Sequence, residues 1–347
     1  MVKIFINGFG NIGRRIASAL SNDKEFQFIG IAKYTPDERI KEAYEQNLDV
    51  FTPEENIEAF KKMGYNVAGT VKEAIQRSDI VIDAAKDGLG YDNKMKYYIP
   101  MSKPAIFQGG EERFGERSVA DMIHNSRVNY EHAFDKKYVI QGSCNVTGLG
   151  RMMQPLIEKY GKEIKRFDAT LIRRWADLED KKEVKDSIEW DRDPHHQYDV
   201  GDFIKTHSLY VDVYKVPSRM MHLHQLYVRF GNGCPKKEQI LELFEKEFGV
   251  AVLQSAKGTA DVRKKAMELG FPHGDTGMVH IHADVLKVQD DILKIAYSDD
   301  QTGMVIPENH LLLQAMILRR KKEEAIERTD KFFRMSEKKK VLTNEFK

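Results

Sequence analysis

The stretch that most constrains the fold is the glycine-rich turn GFGNIG at residues 8–13. An apolar run precedes it at residues 2–7, a helical pattern follows it at 14–20, and a second apolar run occupies 26–32. Strand, glycine-rich turn, helix and strand within about 30 residues are the context that a dinucleotide-binding fingerprint requires. The glycines let the backbone approach a pyrophosphate, which then lies at the helix N-terminus. The sequence therefore predicts a Rossmann-type domain with Gly8 and Gly10 at the cofactor.

The residues after the second strand bear on the choice of cofactor. An NAD-specific site carries Asp or Glu at this point for the ribose 2′-hydroxyl, whereas this chain has Lys33 and Thr35. A cation and a hydroxyl suit a 2′-phosphate, so NADP is expected to bind at least as well as NAD. The alternative is that Lys33 is a solvated lysine at the end of a strand.

Two classes of pattern divide the chain. Up to residue 143 strands alternate with helices, with strands predicted at 79–85, 105–108 and 138–140 and helices at 57–63 and 71–77. Such alternation predicts a doubly wound parallel sheet. The turns at residues 85–88 and 109–110 end two of these strands, so they are candidate cofactor loops.

Beyond residue 144 alternating strands predominate, which predicts a second α+β domain with an antiparallel sheet. The expected strands are 166–173, 210–216, 221–230, 279–288 and 291–297, and the expected helices are 237–248 and 260–269. We expect a Rossmann domain at 1–143 and a catalytic domain at 144–306. The segment 307–347 is expected to be a helix that returns to the Rossmann domain, followed by a charged tail.

Bulk properties exclude several classes of function. The chain has 347 residues, a net charge of +1 and two cysteines. A charge near zero gives no global attraction to nucleic acid or to an anionic membrane. Two cysteines suggest no disulfide framework, so we expect a reducing, cytoplasmic location.

One of these cysteines lies in the polar turn Ser143-Cys144-Asn145-Val146-Thr147, between a strand and a predicted helix. Backbone N–H groups at a helix N-terminus stabilise a thiolate and an oxyanion formed by its attack on a carbonyl. A buried structural cysteine is the alternative. The polar neighbours favour a nucleophile.

Arginine and histidine pairs accompany this turn. Arg173-Arg174 could grip phosphate oxygens of cofactor or substrate, or could be an exposed basic pair. Histidines pair at His195/His196, His222/His224 and His280/His282. No third ligand at matching spacing follows, so no metal is expected. A histidine could instead serve as the proton acceptor that a thiol nucleophile needs.

Taken together, these motifs resemble the archaeal-type (type II) phosphorylating glyceraldehyde-3-phosphate dehydrogenases. The resemblance covers nearly the whole chain and is carried, in order, by NGFGNIGRR, IAKYTPD, FQGGE, SCNVTGL, RRWAD, the first histidine pair, MHLH and QTGMVIPEN.

The resemblance implies a role for each matching residue. Cys144 would be the nucleophile and His222 or His224 the base, with His222 favoured. The other implied contacts are Asn11, Ile12, Gly110, Arg174 (or its neighbour Arg173) and Gln301 for the cofactor, and Ser143, Asn145, Thr147, His195 and His196 for the substrate. The resemblance also implies a homotetramer that uses NAD or NADP and inorganic phosphate.

Two other functions stay open at this stage. A cysteine-dependent semialdehyde dehydrogenase would share the two-domain plan. A non-catalytic nucleotide-binding protein would keep the glycine-rich turn without the chemistry.

Overall fold

A computed structural model describes residues 1–347 and divides the chain into two compact units. Unit 1 comprises Met1–Ser143 and Glu308–Ala325, and unit 2 comprises Cys144–Pro307 and Ile326–Lys347. Among all helices, none is both long enough and apolar enough to cross a membrane.

Unit 1 is built on an eight-stranded, wholly parallel sheet. Its spatial order is β4-β3-β2-β1-β5-β6-β8-β7. The strands are β1 (Val2–Asn7), β2 (Phe26–Ala32), β3 (Val50–Thr52), β4 (Gly69–Thr70), β5 (Ile80–Asp83), β6 (Ala105–Gln108), β7 (Met122–His124) and β8 (Tyr138–Gln141). Their nearly continuous apolar runs are typical of strands covered by helices on both faces. The predicted doubly wound α/β class is confirmed.

The helices of unit 1 follow the strands in the expected alternation. They are α1 (Asn11–Leu20), α2 (Arg39–Glu45), α3 (Ile57–Lys62), α4 (Val71–Arg77), α5 (Gly90–Asn93) and α6 (Ser126–Asn129), with short 3₁₀ turns at Glu54–Asn56 and Tyr130–Ala133 and a π turn at Lys94–Tyr98. Helix α1 begins at Asn11 rather than at residue 14, so its first turn is formed by the glycine-rich motif itself.

Unit 2 contains the second sheet, in the order β10-β11-β9-β12-β16-β14-β13, with β15 paired to β16. The strands are β9 (Ile164–Arg174), β10 (Glu189–Trp190), β11 (Leu209–Val216), β12 (His222–Phe230), β13 (Val250–Leu253), β14 (Val279–His282), β15 (Lys287–Gln289) and β16 (Ile292–Asp299). The sheet is mixed rather than antiparallel, because β11 runs parallel to β9 and β13 parallel to β14. The single strand predicted at 279–288 is also wrong, since a 3₁₀ turn at Ala283–Val285 divides it.

The helices that begin after residue 143 are α7 (Cys144–Tyr160), α8 (His196–Gly201), α9 (Lys237–Glu245), α10 (Thr259–Glu268), α11 (Val305–Leu313), α12 (Lys322–Phe333) and α13 (Met335–Glu345), with a 3₁₀ turn at Pro272–Gly274 and a π turn at Gln314–Leu318. The charged C-terminal tail is ordered against unit 2. Leu342 and Phe346 are buried with Leu253 and Val262 in one apolar cluster. Burial of these apolar side chains stabilises the packing of α13, although the other faces of this helix are charged.

Candidate active site

The glycine-rich turn of unit 1 has the geometry that a phosphate group requires. Gly8 has φ +129°, and a Cβ there would lie 2.3 Å from the Ala84 carbonyl oxygen. A Cβ on Gly13 would lie 2.3 Å from the Gly8 oxygen, whereas a Cβ on Gly10 would meet nothing within 4 Å. Open space at Gly10 coincides with the N-terminus of α1, which has no side-chain cap and no acidic residue in its first turn. The turn therefore leaves room and N–H groups for a pyrophosphate.

The end of β2 carries a charge pair that the sequence interpretation did not foresee. Lys33 Nζ lies 2.6 Å from Asp37 Oδ2, and Thr35 Oγ1 lies 3.5 Å from the same oxygen. Burial alone would raise the pKa of the Asp37 carboxyl. Hydrogen bonds from the Lys33 side chain and the Arg39 backbone N–H outweigh burial, so the pKa is lowered overall. Asp37 could have been found from the sequence, because it stands four residues after Lys33 in the same polar turn.

The two predicted loops at residues 85–88 and 109–110 lie together. Glu111 Oε1 accepts hydrogen bonds from the backbone N–H groups of Gly88 and Gly90, at 2.9 and 3.0 Å. Gly110 has φ +120°, and a Cβ on Gly109 would lie 2.5 Å from Ser143 Cα. The glycines of these loops thus allow backbone segments of unit 1 to lie closer to one another than a side chain would permit.

Cys144 is the first residue of α7 in unit 2. Its Sγ, a ring nitrogen of His222 and a carboxylate oxygen of Asp299 all lie within 4.8 Å of one another. Burial raises the pKa of the Cys144 thiol, the Asp299 charge raises it further, and Arg173 and Arg174 oppose both effects. The thiol of the free protein therefore needs a proton acceptor before it can attack.

His222 and His224 share one face of β12 and differ in their partners. His222 Nδ1 accepts the backbone N–H of Arg174 at 3.0 Å, and His224 Nε2 lies 3.0 Å from Asp299 Oδ2. Burial lowers the pKa of His222 well below its usual range, and the neighbouring His224 and Arg174 lower it further. The rings of His224 and Tyr297 pack in a T-shaped arrangement, with centroids 5.2 Å apart.

The first histidine pair lies beside the nucleophile's helix. Asn145 Nδ2 and His196 Nε2 are 3.1 Å apart, and His195 stacks on His196 with ring centroids 4.2 Å apart. Burial, with the adjacent His195 and Arg173, lowers the pKa of His196 to about 2. Asn145 Oδ1 and His196 Nδ1 are buried without hydrogen-bond partners. Thr147, also expected at the substrate, is fully buried in α7.

Arg173 and Arg174 end β9 in different surroundings. Arg174 forms an ion pair with Asp177, and Asp177 Oδ1 also lies 3.3 Å from Gln301 Nε2. The Arg173 side chain has no hydrogen bond or ion pair, yet its charge affects Cys144, His196 and His222. The free guanidinium of this pair is therefore that of Arg173.

The remaining sequence candidates lie in other surroundings. His280 and His282 form a separate buried network through Ser298 and Thr276. Cys234 is free, and burial with the Asp291 charge raises its pKa to about 11. Like Asp37, Asp299 was missed by sequence reasoning, because the run Ser298-Asp299-Asp300 looks like an ordinary polar turn.

Comparison with known proteins gives the family. The chain is 33% identical over 345 residues to the glyceraldehyde-3-phosphate dehydrogenase of Pyrobaculum calidifontis, covering 96% of this chain and 98% of the relative. It is 33% identical over 337 residues to that of Sulfolobus acidocaldarius and 32% identical over 336 residues to that of Archaeoglobus fulgidus, in each case covering 95% of this chain and 96% of the relative. No protein-family model matches. The resemblance read from the motifs is thereby confirmed, and the chain belongs to the glyceraldehyde-3-phosphate dehydrogenase family.

Proposed function

We propose that this protein catalyses the reversible oxidative phosphorylation of glyceraldehyde 3-phosphate to 1,3-bisphosphoglycerate, with a nicotinamide cofactor and inorganic phosphate. The observation that carries the proposal is the cluster of Cys144, His222 and Asp299, whose reactive atoms lie within 4.8 Å of one another at the start of a helix.

Cys144 is the proposed nucleophile. Its thiolate attacks the aldehyde carbon and forms a hemithioacetal, and N–H groups at the start of α7 face the resulting oxyanion. The bound nicotinamide supplies the hydride acceptor. What remains on the protein is a thioester at Cys144, which inorganic phosphate cleaves to release the acyl phosphate.

His195, His196 and Asn145 are the proposed substrate contacts. The buried unpartnered atoms Asn145 Oδ1 and His196 Nδ1 are an acceptor and a ring nitrogen that a polar substrate can satisfy. His196 is neutral because burial lowers its pKa to about 2. It therefore positions hydroxyl groups rather than supplying positive charge.

Arg173 is the proposed phosphate ligand on this face. Arg174 is committed to Asp177, whereas Arg173 has a free guanidinium that also lowers the pKa of the Cys144 thiol. A phosphate oxygen bound by Arg173 would satisfy a planar donor that is otherwise unpaired. Arg174 would then influence the bound cofactor indirectly, through its ion pair with Asp177 and the contact of Asp177 with Gln301.

For the cofactor we propose that both NAD and NADP bind, with Lys33 and Asp37 setting the ratio. The ammonium of Lys33 favours a 2′-phosphate, and the carboxylate of Asp37 repels it and can accept a ribose hydroxyl. Because a 2.6 Å ion pair holds both groups at the same position, we expect neither NAD nor NADP to be excluded.

The competing activity is that of another cysteine-dependent semialdehyde dehydrogenase. The purified protein should be offered glyceraldehyde 3-phosphate and aspartate semialdehyde, each with phosphate and with NAD or NADP. We expect NAD(P)H formation that depends on phosphate and on glyceraldehyde 3-phosphate. Preference for aspartate semialdehyde would overturn the proposal, and turnover of neither would revive a non-catalytic nucleotide-binding role.

Family membership also motivates a proposed homotetramer working in a reducing compartment, with both cysteines free. Native mass determination tests the assembly directly, and a monomer would overturn that part.

A further inference from the structure

A chain of hydrogen bonds joins the carboxyl ends of β1 and β5 to Tyr34, which stands two residues after β2. The Tyr34 hydroxyl donates to Asn7 Oδ1 at 2.9 Å. Asn7 Nδ2 donates to Tyr98 Oη at 2.7 Å, and the Tyr98 hydroxyl donates in turn to Asp83 Oδ2. Asn93 Nδ2 reaches the same carboxylate oxygen at 2.9 Å. The chain therefore begins at a tyrosine hydroxyl and ends at a buried carboxylate.

These strand ends form the edge where a doubly wound sheet holds a cofactor. Asn7 is the last residue of β1 and directly precedes Gly8, which starts the glycine-rich turn with φ +129°. Tyr34 directly follows Lys33, whose ammonium pairs with Asp37. The hydrogen bond between Tyr34 and Asn7 thus joins the turn proposed for the pyrophosphate to the segment proposed for the ribose.

The carboxylate at the end of the chain determines which way the Asn7 amide faces. Asn7 is fully buried and Asp83 is 4% exposed, so water does not satisfy either side chain. A carboxylate oxygen accepts hydrogen bonds, so the amide donor Nδ2 must face Asp83 and Tyr98. Oδ1 of Asn7 then faces the other way, and the hydroxyl of Tyr34 is the donor that reaches it.

Removal of the Tyr34 hydroxyl would leave the Asn7 oxygen buried without this donor, which is costly. Rotation of the amide by 180° would not relieve the cost, because Oδ1 would then face the Asp83 carboxylate and two acceptors would repel each other. The Asn7 side chain must therefore shift, and the backbone that leads into Gly8 must shift with it.

Resting on the function proposed above, we propose that Tyr34 is a positioning residue for the nicotinamide cofactor. Its hydroxyl orients the Asn7 amide and thereby holds the glycine-rich turn and the Lys33 segment in the arrangement that both NAD and NADP require. Tyr34 serves the two cofactors equally, because the pyrophosphate and the adenosine ribose are common to both. Lys33 differs in this respect, since its ammonium favours the 2′-phosphate of NADP alone.

A direct contact between Tyr34 and the cofactor is the competing explanation. The hydroxyl is engaged by Asn7, whereas the residue as a whole is partly exposed. Tyr34→Phe keeps the aromatic ring and removes only the hydroxyl. The variant therefore separates the hydrogen bond to Asn7 from any contact that the ring makes.

Calorimetric titration of Tyr34→Phe with NAD and with NADP tests the proposal without any turnover. We expect the Kd of both cofactors to rise by the same factor, about tenfold, as one unsatisfied buried group would cause. At saturating cofactor, kcat should stay near the native value, because the variant leaves Cys144 and its neighbours unchanged. Tyr44→Phe is the control, since its hydroxyl donates to the Asn66 carbonyl outside this chain. An unchanged Kd, a rise for one cofactor only, or a loss confined to kcat would overturn the proposal.

A double-mutant cycle with Asn7→Ala tests whether Tyr34 acts through Asn7. Asn7→Ala should itself weaken both cofactors, and the addition of Tyr34→Phe should change the Kd further by less than about twofold, because residues in one hydrogen-bond network are not additive. Fully additive losses would show that Tyr34 acts by another route and would overturn the proposal. Urea titration of each apoprotein identifies a variant that fails to fold, and Tyr98→Phe then replaces Asn7→Ala in the cycle.

The same titrations separate this inference from the proposed function. If the native protein binds neither NAD nor NADP, the proposed function fails. If the native protein binds both and oxidises glyceraldehyde 3-phosphate while Tyr34→Phe binds them with native affinity, this inference alone fails.

Discussion

His224 Nε2 lies 3.0 Å from Asp299 Oδ2, and neither side chain is accessible to solvent. The backbone register makes this contact diagonal, since Asp299 pairs directly with His222 and Tyr297 with His224. Diagonal neighbours on adjacent strands lie within reach of long side chains. The two strands thus bring a carboxylate and two histidines to the same end of the sheet as Cys144.

Cys144, and not Cys234, should carry all activity. Cys144→Ser should abolish turnover, because a hydroxyl in the same place is a far weaker nucleophile. Cys234→Ser should behave as the native enzyme. Cys234 lies in a loop, and burial raises the pKa of its thiol to about 11, which keeps the thiol protonated. Tryptic mapping after alkylation checks the assignment, which an active Cys144→Ser enzyme would refute.

Cofactor choice should depend on Lys33 and Asp37 in opposite ways. Lys33→Ala should raise the KM for NADP by about tenfold and leave NAD nearly unchanged, since a charge-assisted contact to phosphate is lost. Asp37→Asn should lower the KM for NADP, because a carboxylate that repels the 2′-phosphate is removed. Lys41→Ala, an exposed lysine on α2, is the control. Equal changes for both cofactors would make Lys33 a bystander.

Arg173 should govern the affinity for phosphate. Arg173→Gln removes an unpaired guanidinium and should raise the KM for inorganic phosphate or for the phosphorylated substrate by about 10- to 100-fold. Arg166→Gln, on the same strand but paired with Asp168 at the surface, should change neither. A rise in the KM for the cofactor alone would instead assign Arg173 to the cofactor.

A buried ion pair between α10 and the residue that follows β16 should contribute strongly to the free energy of unfolding. Arg263 Nη1 lies 3.0 Å from Asp300 Oδ1, and both side chains are buried. Arg263→Met leaves the Asp300 carboxylate without its cation and should cost about 3–5 kcal/mol of unfolding free energy in urea titration. Lys246→Gln, which breaks an exposed pair with Glu242, should cost far less, because water already solvates both charges. Comparable losses in the two variants would contradict this account.

Strongly patterned elements of the fold were predictable from the sequence. Strand β2 and helix α4 occupy the predicted ranges because apolar periodicity and turn residues agree there. Residues 279–288 kept an apolar pattern through a 3₁₀ turn, so periodicity alone could not reveal the break. The parallel pairing of β9 with β11 depends on long-range register, which no local pattern encodes.

The site residues that could be predicted from the sequence are those whose residue type by itself indicates a chemical role. Cys144 and the histidine pairs stand out from their neighbours in the sequence. Asp299 and Asp37 do not, because acidic residues in polar turns are common. Only the structure shows that Asp299 faces the thiol and that the Arg174 backbone N–H donates a hydrogen bond to His222.

The central claim is that oxidation proceeds through a thioester on Cys144. Enzyme mixed with glyceraldehyde 3-phosphate and cofactor in phosphate-free buffer should give a burst of NAD(P)H stoichiometric with active sites, and intact mass followed by peptide mapping should place an acyl group on Cys144. Addition of phosphate should discharge that group as an acyl phosphate. A burst without an adduct, or an adduct on any other residue, would contradict the mechanism.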